Sequence, residues 1–206
     1  MSLSKKSIYP FFETICVLEG KIQHPQAHEL RYEKTYRAAF GKTPASSLLH
    51  QVVVPEKFKT GRVKLKIAYN ENEQSVSFSA YPYRPIQTLQ CVEAPGMDYS
   101  FKFSDRSKIN LLFEQRGDCD DILITKKGVI TDTSYANICL TDGEKWFTPE
   151  RPLLEGTARH TLIRTKQLVE KEIHVNQLND FRGFKLINAM RSFSEEIEFP
   201  INQIIR

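Results

Sequence analysis

The 206-residue sequence lacks the features that mark several classes of protein. Its four cysteines form no C-x-x-C pair and its five histidines have no metal-ligand spacing, so we expect neither a disulfide framework nor a metal site. No apolar run is long enough to cross a bilayer, and the lysines within residues 1–6 precede no apolar run typical of a signal peptide. These absences together predict a cytoplasmic protein without a membrane partner.

Charge of one sign is not concentrated anywhere either. The net charge is +4, but the 29 lysines and arginines are scattered among 25 acids and no basic tract stands alone. We therefore expect no nucleic-acid partner, and a mildly basic surface also suits an anionic metabolite. With 40% hydrophobic and 26% charged residues, the composition is typical of a soluble globular protein with a sizeable core.

Hydrophobic periodicity predicts the elements of the first half of the chain. Residues 11–18 have the composition of a strand, and residues 62–69 and 76–83 alternate in polarity on either side of a turn, which predicts a hairpin. Residues 27–40 place apolar side chains among charged ones and precede Gly41, which predicts a helix that ends at this glycine.

The second half changes in character. Residues 104–116 and 156–171 predict helices. Short strands separated by Lys-Gly and Asp-Gly turns are predicted between them, at 121–125, 129–131, 137–141 and 145–148. The two halves together predict an α/β (α+β) fold of two lobes that meet within 84–100, with a small N-terminal lobe at 1–95 and a larger one at 96–206.

Separated segments supply residue types that one kind of chemistry needs. Lys102 lies in Y-S-F-K-F-S-D-R, and Asp132 lies in G-V-I-T-D-T-S-Y-A-N, residues 128–137. Arg31 and the segment 148–159, which runs from T-P to L-E-G-T-A-R, are candidates for binding an anion. A lysine that forms an imine, an acid that faces a pyridine nitrogen and an anion cup are what pyridoxal 5′-phosphate requires.

Over residues 31–192 the chain resembles the class IV aminotransferases, the fold-type IV pyridoxal phosphate enzymes. The family pattern K-x-x-(N/D)-R matches 102–106, and G-x-(V/I)-x-E-x-x-x-x-N matches 128–137 except at Asp132. The pattern T-P…L-x-G-x-x-R matches 148–159. The resemblance implies a D-amino acid aminotransferase-like fold with a trimmed N-terminal lobe, and a homodimer that binds an amino-acid-like small molecule.

The resemblance also implies roles in binding the cofactor ring. Lys102 would hold pyridoxal phosphate as a Schiff base and shuttle the proton at the substrate α-carbon. Asp132 stands where the family usually has glutamate and would face the pyridine nitrogen, and Asn137 completes the same motif. Taken alone, Lys102 is more often a solvated lysine and Asp132 a turn residue, and the rival Lys108 has no motif match.

Other matched residues would bind the phosphate. Arg31, in H-E-L-R-Y, would pair with it as a bidentate cation, although the polar face of a helix is the simpler interpretation. Gly156, Thr157 and Ala158 would open a helix whose N-terminus binds the same phosphate, with the threonine one residue earlier than in the family. Asn188, in L-I-N-A-M, matches a late family position near the phosphate or the substrate.

Two residues are candidates for contact with the substrate. Thr14 lies in F-F-E-T-I, which resembles the F-E-T-I strand that lines the active-site entrance of the family. Arg84 has two equal interpretations, as a surface charge or as a contact to a substrate carboxylate.

Three functions follow from the resemblance. The favoured one is a lyase similar to 4-amino-4-deoxychorismate lyase of folate biosynthesis, which eliminates pyruvate and leaves 4-aminobenzoate. The F-F-E-T-I strand, the compact size and the A-N-I sequence after Asp132 favour it. The alternatives are a transaminase of the branched-chain or D-amino acid type and a non-catalytic relative. The lyase and transaminase reactions both begin with imine exchange on Lys102, so the cofactor site cannot separate them.

Overall fold

A computed structural model describes residues 8–206 of the chain. The residues that bear on a signal peptide lie outside this range. The chain divides into two compact units, of which the first contains the residues up to Pro82 together with Phe101–Arg106. The second contains Tyr83–Ser100 and Ser107–Arg206. The division into lobes at 95/96 stays a prediction.

The first unit is built on an antiparallel sheet. Its strands are β1 (Phe11–Leu18), β2 (Lys21–Ile22), β3 (Arg62–Tyr69) and β4 (Gln74–Ala80). They lie in the order β2-β1-β3-β4. Strands β1 and β3 pair over their full length, from Phe11 opposite Tyr69 to Leu18 opposite Arg62.

Helix α1 (Pro25–Phe40) covers one face of this sheet. It begins with a proline, whose missing N–H has no role in the first turn. It ends at Gly41, whose φ of 69° favours glycine and whose N–H donates to the Arg37 carbonyl at 3.0 Å. Tyr32 and Tyr36, one turn apart on α1, pack into a core with strand residues. The buried strand residues of that core are Phe11, Ile15, Val17, Val63, Leu65, Ile67 and Tyr69.

The segment Phe101–Arg106 belongs to this first unit because it pairs with β1. Phe103 forms an antiparallel bridge to Phe11, and the Phe12 N–H donates to the Lys102 carbonyl at 3.1 Å. The backbone of Lys102 is therefore fixed beside the first residues of β1.

The second unit is a longer mixed sheet. Its strands are β5 (Leu89–Glu93), β6 (Asp121–Lys126), β7 (Val129–Thr133), β8 (Asn137–Thr141), β9 (Trp146–Pro149), β10 (Val169–Lys171), β11 (Gly183–Ile187), β12 (Phe199–Pro200) and β13 (Ile204–Ile205). They lie in the order β10-β9-β8-β7-β6-β5-β13, and β11 pairs with β8 and β12. The α-helices of this unit are α2 (Ser107–Phe113) and α3 (Thr157–Arg164).

Strand β8 lies between two cores. Ile138 and Leu140 pack on one side, in a cluster that includes Phe184, while Cys139 packs on the other side with Leu162 of α3. All the residues of β8 are buried, so its sequence shows little alternation of polarity, as expected for a strand covered on both faces. The two cores hold the start of β8 in place, and this is where Asn137 lies.

The structure confirms the predicted α/β class, helix α1 and the hairpin of β3 and β4. The helix predicted at 156–171 is wrong beyond Arg164, because Lys166 adopts a left-handed φ of 59° and the chain then pairs as β10 with β9. The helix predicted at 104–116 is α-helical only over Ser107–Phe113 and continues as a 3₁₀ turn. Among residues 8–206, no helix is both long and apolar enough to cross a membrane.

Candidate active site

Strand β1 carries different site residues on its two faces. Glu13 lies on the face covered by α1, between Phe11 and Ile15 in the alternation, and is fully buried. Phe12 and Thr14 point to the opposite face and are half-buried. The predicted substrate residue Thr14 therefore shares a face with Phe12, whose backbone bonds to Lys102.

Glu13 is bound by two residues of helix α1. Arg31 donates from Nε to Oε1 at 2.8 Å and from Nη2 to Oε2 at 2.6 Å, which is a bidentate pair. His28 Nδ1 lies 2.7 Å from Oε2 of the same carboxylate. His28 and Arg31 are three residues apart and so lie on one face of the helix. The plane of the Arg31 guanidinium, the predicted phosphate ligand, is fixed by this buried carboxylate.

The charges in this group are set by burial and by one another. Burial alone raises the pKa of Glu13, but the Arg31 guanidinium and the hydrogen bonds from His28 and Arg31 outweigh it and lower that pKa to about 2. Burial lowers the pKa of His28, and the charges of Arg31 and Lys102 act in the same direction. His28 is therefore neutral at neutral pH, and its Nδ1–H donates to the ionised Glu13.

Lys102 is half-buried against an aromatic ring. Its Nζ lies 4.9 Å from the centroid of the Phe12 ring, and its charge reaches His28. The first unit thus brings Lys102, Arg31 and Thr14 to neighbouring positions around β1. The rival Lys108 is exposed in α2 of the second unit.

Asp132 lies at the end of β7 and is almost completely buried. Its Oδ1 accepts a hydrogen bond from Asn137 Nδ2 at 2.7 Å, and its Oδ2 accepts one from the Leu154 N–H at 2.9 Å. Asn137 Nδ2 also donates to the Leu154 carbonyl at 3.0 Å. The two residues of the same motif, Asp132 and Asn137, are therefore joined to each other and to the loop that precedes α3.

Burial raises the pKa of Asp132 to about 6, against the lowering effect of the bonds from Leu154 and Asn137 and of the Arg159 charge. The carboxylate is consequently ionised at neutral pH, and a further positive group beside it would lower its pKa. An ionised carboxylate can accept about four hydrogen bonds, more than the two just described, so Asp132 can also accept one from a pyridinium N–H.

Gly156 is required by the close approach of Asn137. A Cβ built on Gly156 would lie 1.9 Å from Asn137 Oδ1, far inside van der Waals contact, although the φ of −68° would suit any residue. The loop can therefore pass Asn137 only with glycine at this position, which explains the glycine of the L-x-G-x-x-R motif.

Gly156 caps helix α3, whose first residues are the predicted phosphate ligands Thr157 and Ala158. The N–H groups of a helix's first turn have no partner within the helix, so this end suits an anion. Arg159, the last residue of the motif, is buried and donates from Nη2 to the Pro149 carbonyl at 2.8 Å and to Glu170 Oε1 at 2.6 Å. These bonds tie the first turn of α3 to strands β9 and β10.

Asn188 and Arg84 occupy different surroundings in the second unit. Asn188 donates from Nδ2 to the Tyr135 carbonyl at 3.2 Å, which joins it to the turn between β7 and β8. Its Oδ1 accepts the Met190 N–H at 2.8 Å. The Arg84 side chain is exposed, and its carbonyl accepts a hydrogen bond from the buried Arg191.

The geometry of both units agrees with the comparison to known families. Residues 10–195 match the model of the family described as amino-transferase class IV. The chain belongs to the class IV aminotransferase family. This membership confirms the predictions that the chain is an enzyme and that its cofactor is pyridoxal 5′-phosphate.

Comparison with individual relatives agrees with this family membership. An uncharacterized protein of Haemophilus influenzae is 38% identical over 185 residues, 89% of this chain and 98% of that protein. A crystal structure from Haemophilus somnus, described as a "putative 4-amino-4-deoxychorismate lyase", is 30% identical with a TM-score of 0.80, over 90% of this chain and 98% of that one. A hypothetical aminotransferase of Mycobacterium tuberculosis in its PLP-bound form is 16% identical with a TM-score of 0.68, over 93% and 80%. These structures confirm the predicted fold.

Sequence reasoning missed three contributors. Glu13 and His28 were within the quoted F-E-T-I and H-x-x-R segments, and an acid at a core-facing position of a strand was the signal for Glu13. The Leu154 N–H that binds Asp132 left no signal, because every residue except proline has this donor.

Replacing Glu13 with glutamine should remove part of the pH dependence of stability. The pKa of Glu13 is lowered from 4.5 to about 2, so its ionised form stabilises the fold above about pH 4.5, and this contribution is lost as the pH falls toward about 2. The shift corresponds to about 3 kcal/mol. We expect the free energy of unfolding, measured by urea titration, to fall less steeply from about pH 5 to 2 in Glu13→Gln than in the wild type. Glu33→Gln, at a half-exposed acid of α1, is the control, and equal slopes in all three proteins would contradict the assignment.

Replacing Gly156 with alanine should break the bonds around Asp132. The added Cβ must displace Asn137 Oδ1, so Asn137 loses its donations to Asp132 and to the Leu154 carbonyl. We expect a loss of about 1–3 kcal/mol in the free energy of unfolding. Gly96→Ala is the matched control, since nothing lies within 4 Å of a Cβ at that position. Equal stability of the two variants would show that Asn137 can move without cost.

Proposed function

We propose that this chain is a pyridoxal phosphate-dependent lyase that converts 4-amino-4-deoxychorismate, or a closely similar cyclic amino acid, into pyruvate and 4-aminobenzoate. The observation that carries the proposal is the 30% identity to the Haemophilus somnus protein described as a lyase of this kind, over nearly the whole of both chains. The transaminase reaction has no comparable support, because the aminotransferase just described is similar at a level that informs on the fold alone.

In the first unit, we assign Lys102 to the imine with the cofactor, where the substrate amine would take its place, and Arg31 to the cofactor phosphate. Lys102 is half-buried, so its amine has access to a ligand while the ring of Phe12 limits its motion. The Arg31 side chain remains 12% exposed, and Glu13 holds its guanidinium in one orientation. A guanidinium fixed in this way binds a phosphate better than a mobile one, because less side-chain freedom is lost on binding.

In the second unit, we assign Asp132 to the pyridine nitrogen and the first turn of α3 to the phosphate. Asp132 is ionised at neutral pH and retains acceptor capacity, so it suits a pyridinium N–H. Aspartate is one methylene shorter than the family's glutamate, and the bonds from Asn137 and Leu154 hold it in one position. Asn137 therefore acts on the cofactor through Asp132. Asn188, which follows β11 and donates to the Tyr135 carbonyl, is the remaining candidate for phosphate or substrate contact.

When bound, pyridoxal phosphate draws electrons from the carbon that bears the substrate amine. Lys102 would take the proton from that carbon, and the bond between the ring carbon and the ether oxygen would break, leaving an aromatic ring. The enolpyruvate that leaves would take up a proton at its methylene carbon to become pyruvate. Asp132 holds the positive charge at the pyridine nitrogen while negative charge develops. Thr14 lies on the face of β1 next to Phe12, where a substrate bound at Lys102 would meet it.

The proposal includes a homodimer, as the family resemblance implies, and a cytoplasmic small-molecule enzyme of folate biosynthesis. Arg84 stays a candidate for a substrate carboxylate, since its side chain is exposed and its backbone is anchored by Arg191.

A substrate panel tests the function. The holoenzyme should release pyruvate and 4-aminobenzoate in equal amounts from 4-amino-4-deoxychorismate, and it should form no keto acid from branched-chain or D-amino acids. Lys102→Ala should lose both turnover and the borohydride-fixed cofactor on the protein, detected by mass spectrometry, because the imine-forming amine is gone. Lys108→Ala, the exposed rival, should keep both. Keto acid without pyruvate would assign a transaminase, and no cofactor adduct in the wild type would indicate a non-catalytic relative.

Replacing Asp132 with asparagine should affect turnover more than substrate binding, because the charge at the pyridine nitrogen matters most as the carbanion forms. We expect the barrier to rise by about 2.7–4 kcal/mol at unchanged KM, the scale for loss of one electrostatic partner in other enzymes. The asparagine amide would also oppose the donor of Asn137 or Leu154, so kcat is to be measured well below the unfolding temperature. Asp132→Glu keeps the charge and is the control. Wild-type kcat in Asp132→Asn would place the nitrogen partner elsewhere.

A further inference from the structure

The register of the first sheet places a lysine opposite Thr14. Thr14 of β1 pairs with Lys66 of β3, and Phe12 pairs with Ala68. Directly paired residues of antiparallel strands point to the same face, so Phe12, Thr14 and Lys66 lie together on the face opposite the α1 core. Lys66 was not singled out by any sequence motif.

Two lysines share one aromatic ring on this face. Lys66 Nζ lies 4.9 Å from the centroid of the Phe12 ring, and Lys102 Nζ lies at the same distance from it. The two ammonium groups are therefore separated by at most twice that distance. A molecule whose amine is bound at Lys102 has Lys66 within reach of its other end.

The face has a single sign of charge. All the charged side chains that β1 to β4 place on it are basic, namely Lys21, Arg62, Lys64 and Lys66. Glu13, the acid of β1, points to the opposite face. Lys66 is exposed and has no carboxylate partner within residues 8–206. An exposed cation beside the proposed imine-forming lysine, on a face where strands β1 to β4 place no acid, suits an anionic group of the ligand.

We propose that Lys66 binds a substrate carboxylate that is remote from the reacting amine, and so selects amino acids of the cyclic type over α-amino acids. This inference rests on the proposed role of Lys102 as the imine-forming residue that the substrate amine displaces. In an α-amino acid the carboxylate is attached to the carbon that bears the amine, so it stays beside Lys102. In a ring such as that of 4-aminobenzoate the two groups lie at opposite ends, so the carboxylate is held away from the amine and can reach a second cation near the Phe12 ring.

Ligand binding tests the proposal without turnover. The probes are 4-aminobenzoate and aniline, which differ only in the carboxylate, and their dissociation constants are measured by calorimetry on the holoenzyme. Lys66→Gln should weaken the binding of 4-aminobenzoate about two- to fivefold, the scale of one exposed charge pair, and leave the binding of aniline unchanged. Added salt should weaken 4-aminobenzoate in the wild type more than in Lys66→Gln. Lys66→Arg, which keeps the charge, should restore most of the affinity.

Lys64→Gln is the matched control, because Lys64 lies on the same strand and face but opposite Cys16, one repeat farther from Phe12. Equal losses in the two variants would indicate general surface charge and overturn the proposal. So would equal affinity of wild type and Lys66→Gln for 4-aminobenzoate, or no detectable binding by the wild type.

The outcome is separable from that of the proposed function. If the wild-type enzyme releases pyruvate but Lys66→Gln has the same affinity for 4-aminobenzoate, the lyase assignment stands and the role of Lys66 is rejected. Carboxylate-dependent binding through Lys66 without pyruvate release would keep the role of Lys66 and reject the lyase.

Discussion

The buried carboxylate of Glu13 is the constraint around which the first unit is organised. It lies on the core face of β1, where an unpaired charge would be strongly unfavourable, and it is compensated by Arg31 and His28 of α1. The pair thus links strand to helix and orients the guanidinium assigned to the phosphate. Burial, with the charges of Arg31 and Lys102, lowers the pKa of His28 against the opposing effect of Glu13. Glu13, on the core face of β1, thus helps to position the residues proposed to act on the opposite face.

In the second unit, a buried carboxylate is stabilised by neutral hydrogen-bond donors. Asp132 is buried, and within residues 8–206 its oxygens accept hydrogen bonds from an amide side chain and a main-chain N–H rather than from a cation in direct contact. Amide donors stabilise the ionised form less than a guanidinium would, and accordingly the pKa of Asp132 is raised to about 6 whereas that of Glu13 is lowered to about 2. When a ligand brings a positive charge beside a carboxylate held by neutral donors, the pKa of that carboxylate falls. A carboxylate already paired with a guanidinium would not respond in this way.

The sequence predicted the parts of this fold that depend on side-chain pattern. Helix α1, with its proline and glycine ends, and the alternating β3 could be predicted because local preference and burial agree there. The end of α3 could not, since apolar spacing continues through Leu168 while Lys166 turns the chain so that β10 can pair with β9. The proposed cofactor residues were recognisable as motifs, but the Leu154 N–H and the pairing of Lys66 with Thr14 depend on backbone position and register.

The first unit is not a continuous stretch of chain, because Phe101–Arg106 belongs to it and Tyr83–Ser100 does not. A gene fragment that ends at Pro82 would encode β1 without Lys102 and without the Phe103 that bridges Phe11. Recombination between relatives at a single crossover after Pro82 would likewise combine the strand of one parent with the lysine of the other. A chimera that exchanges the whole second unit therefore needs three crossovers, after Pro82, Ser100 and Arg106, to keep the lysine with its own aromatic strand. A single crossover after Arg106 also keeps the two together.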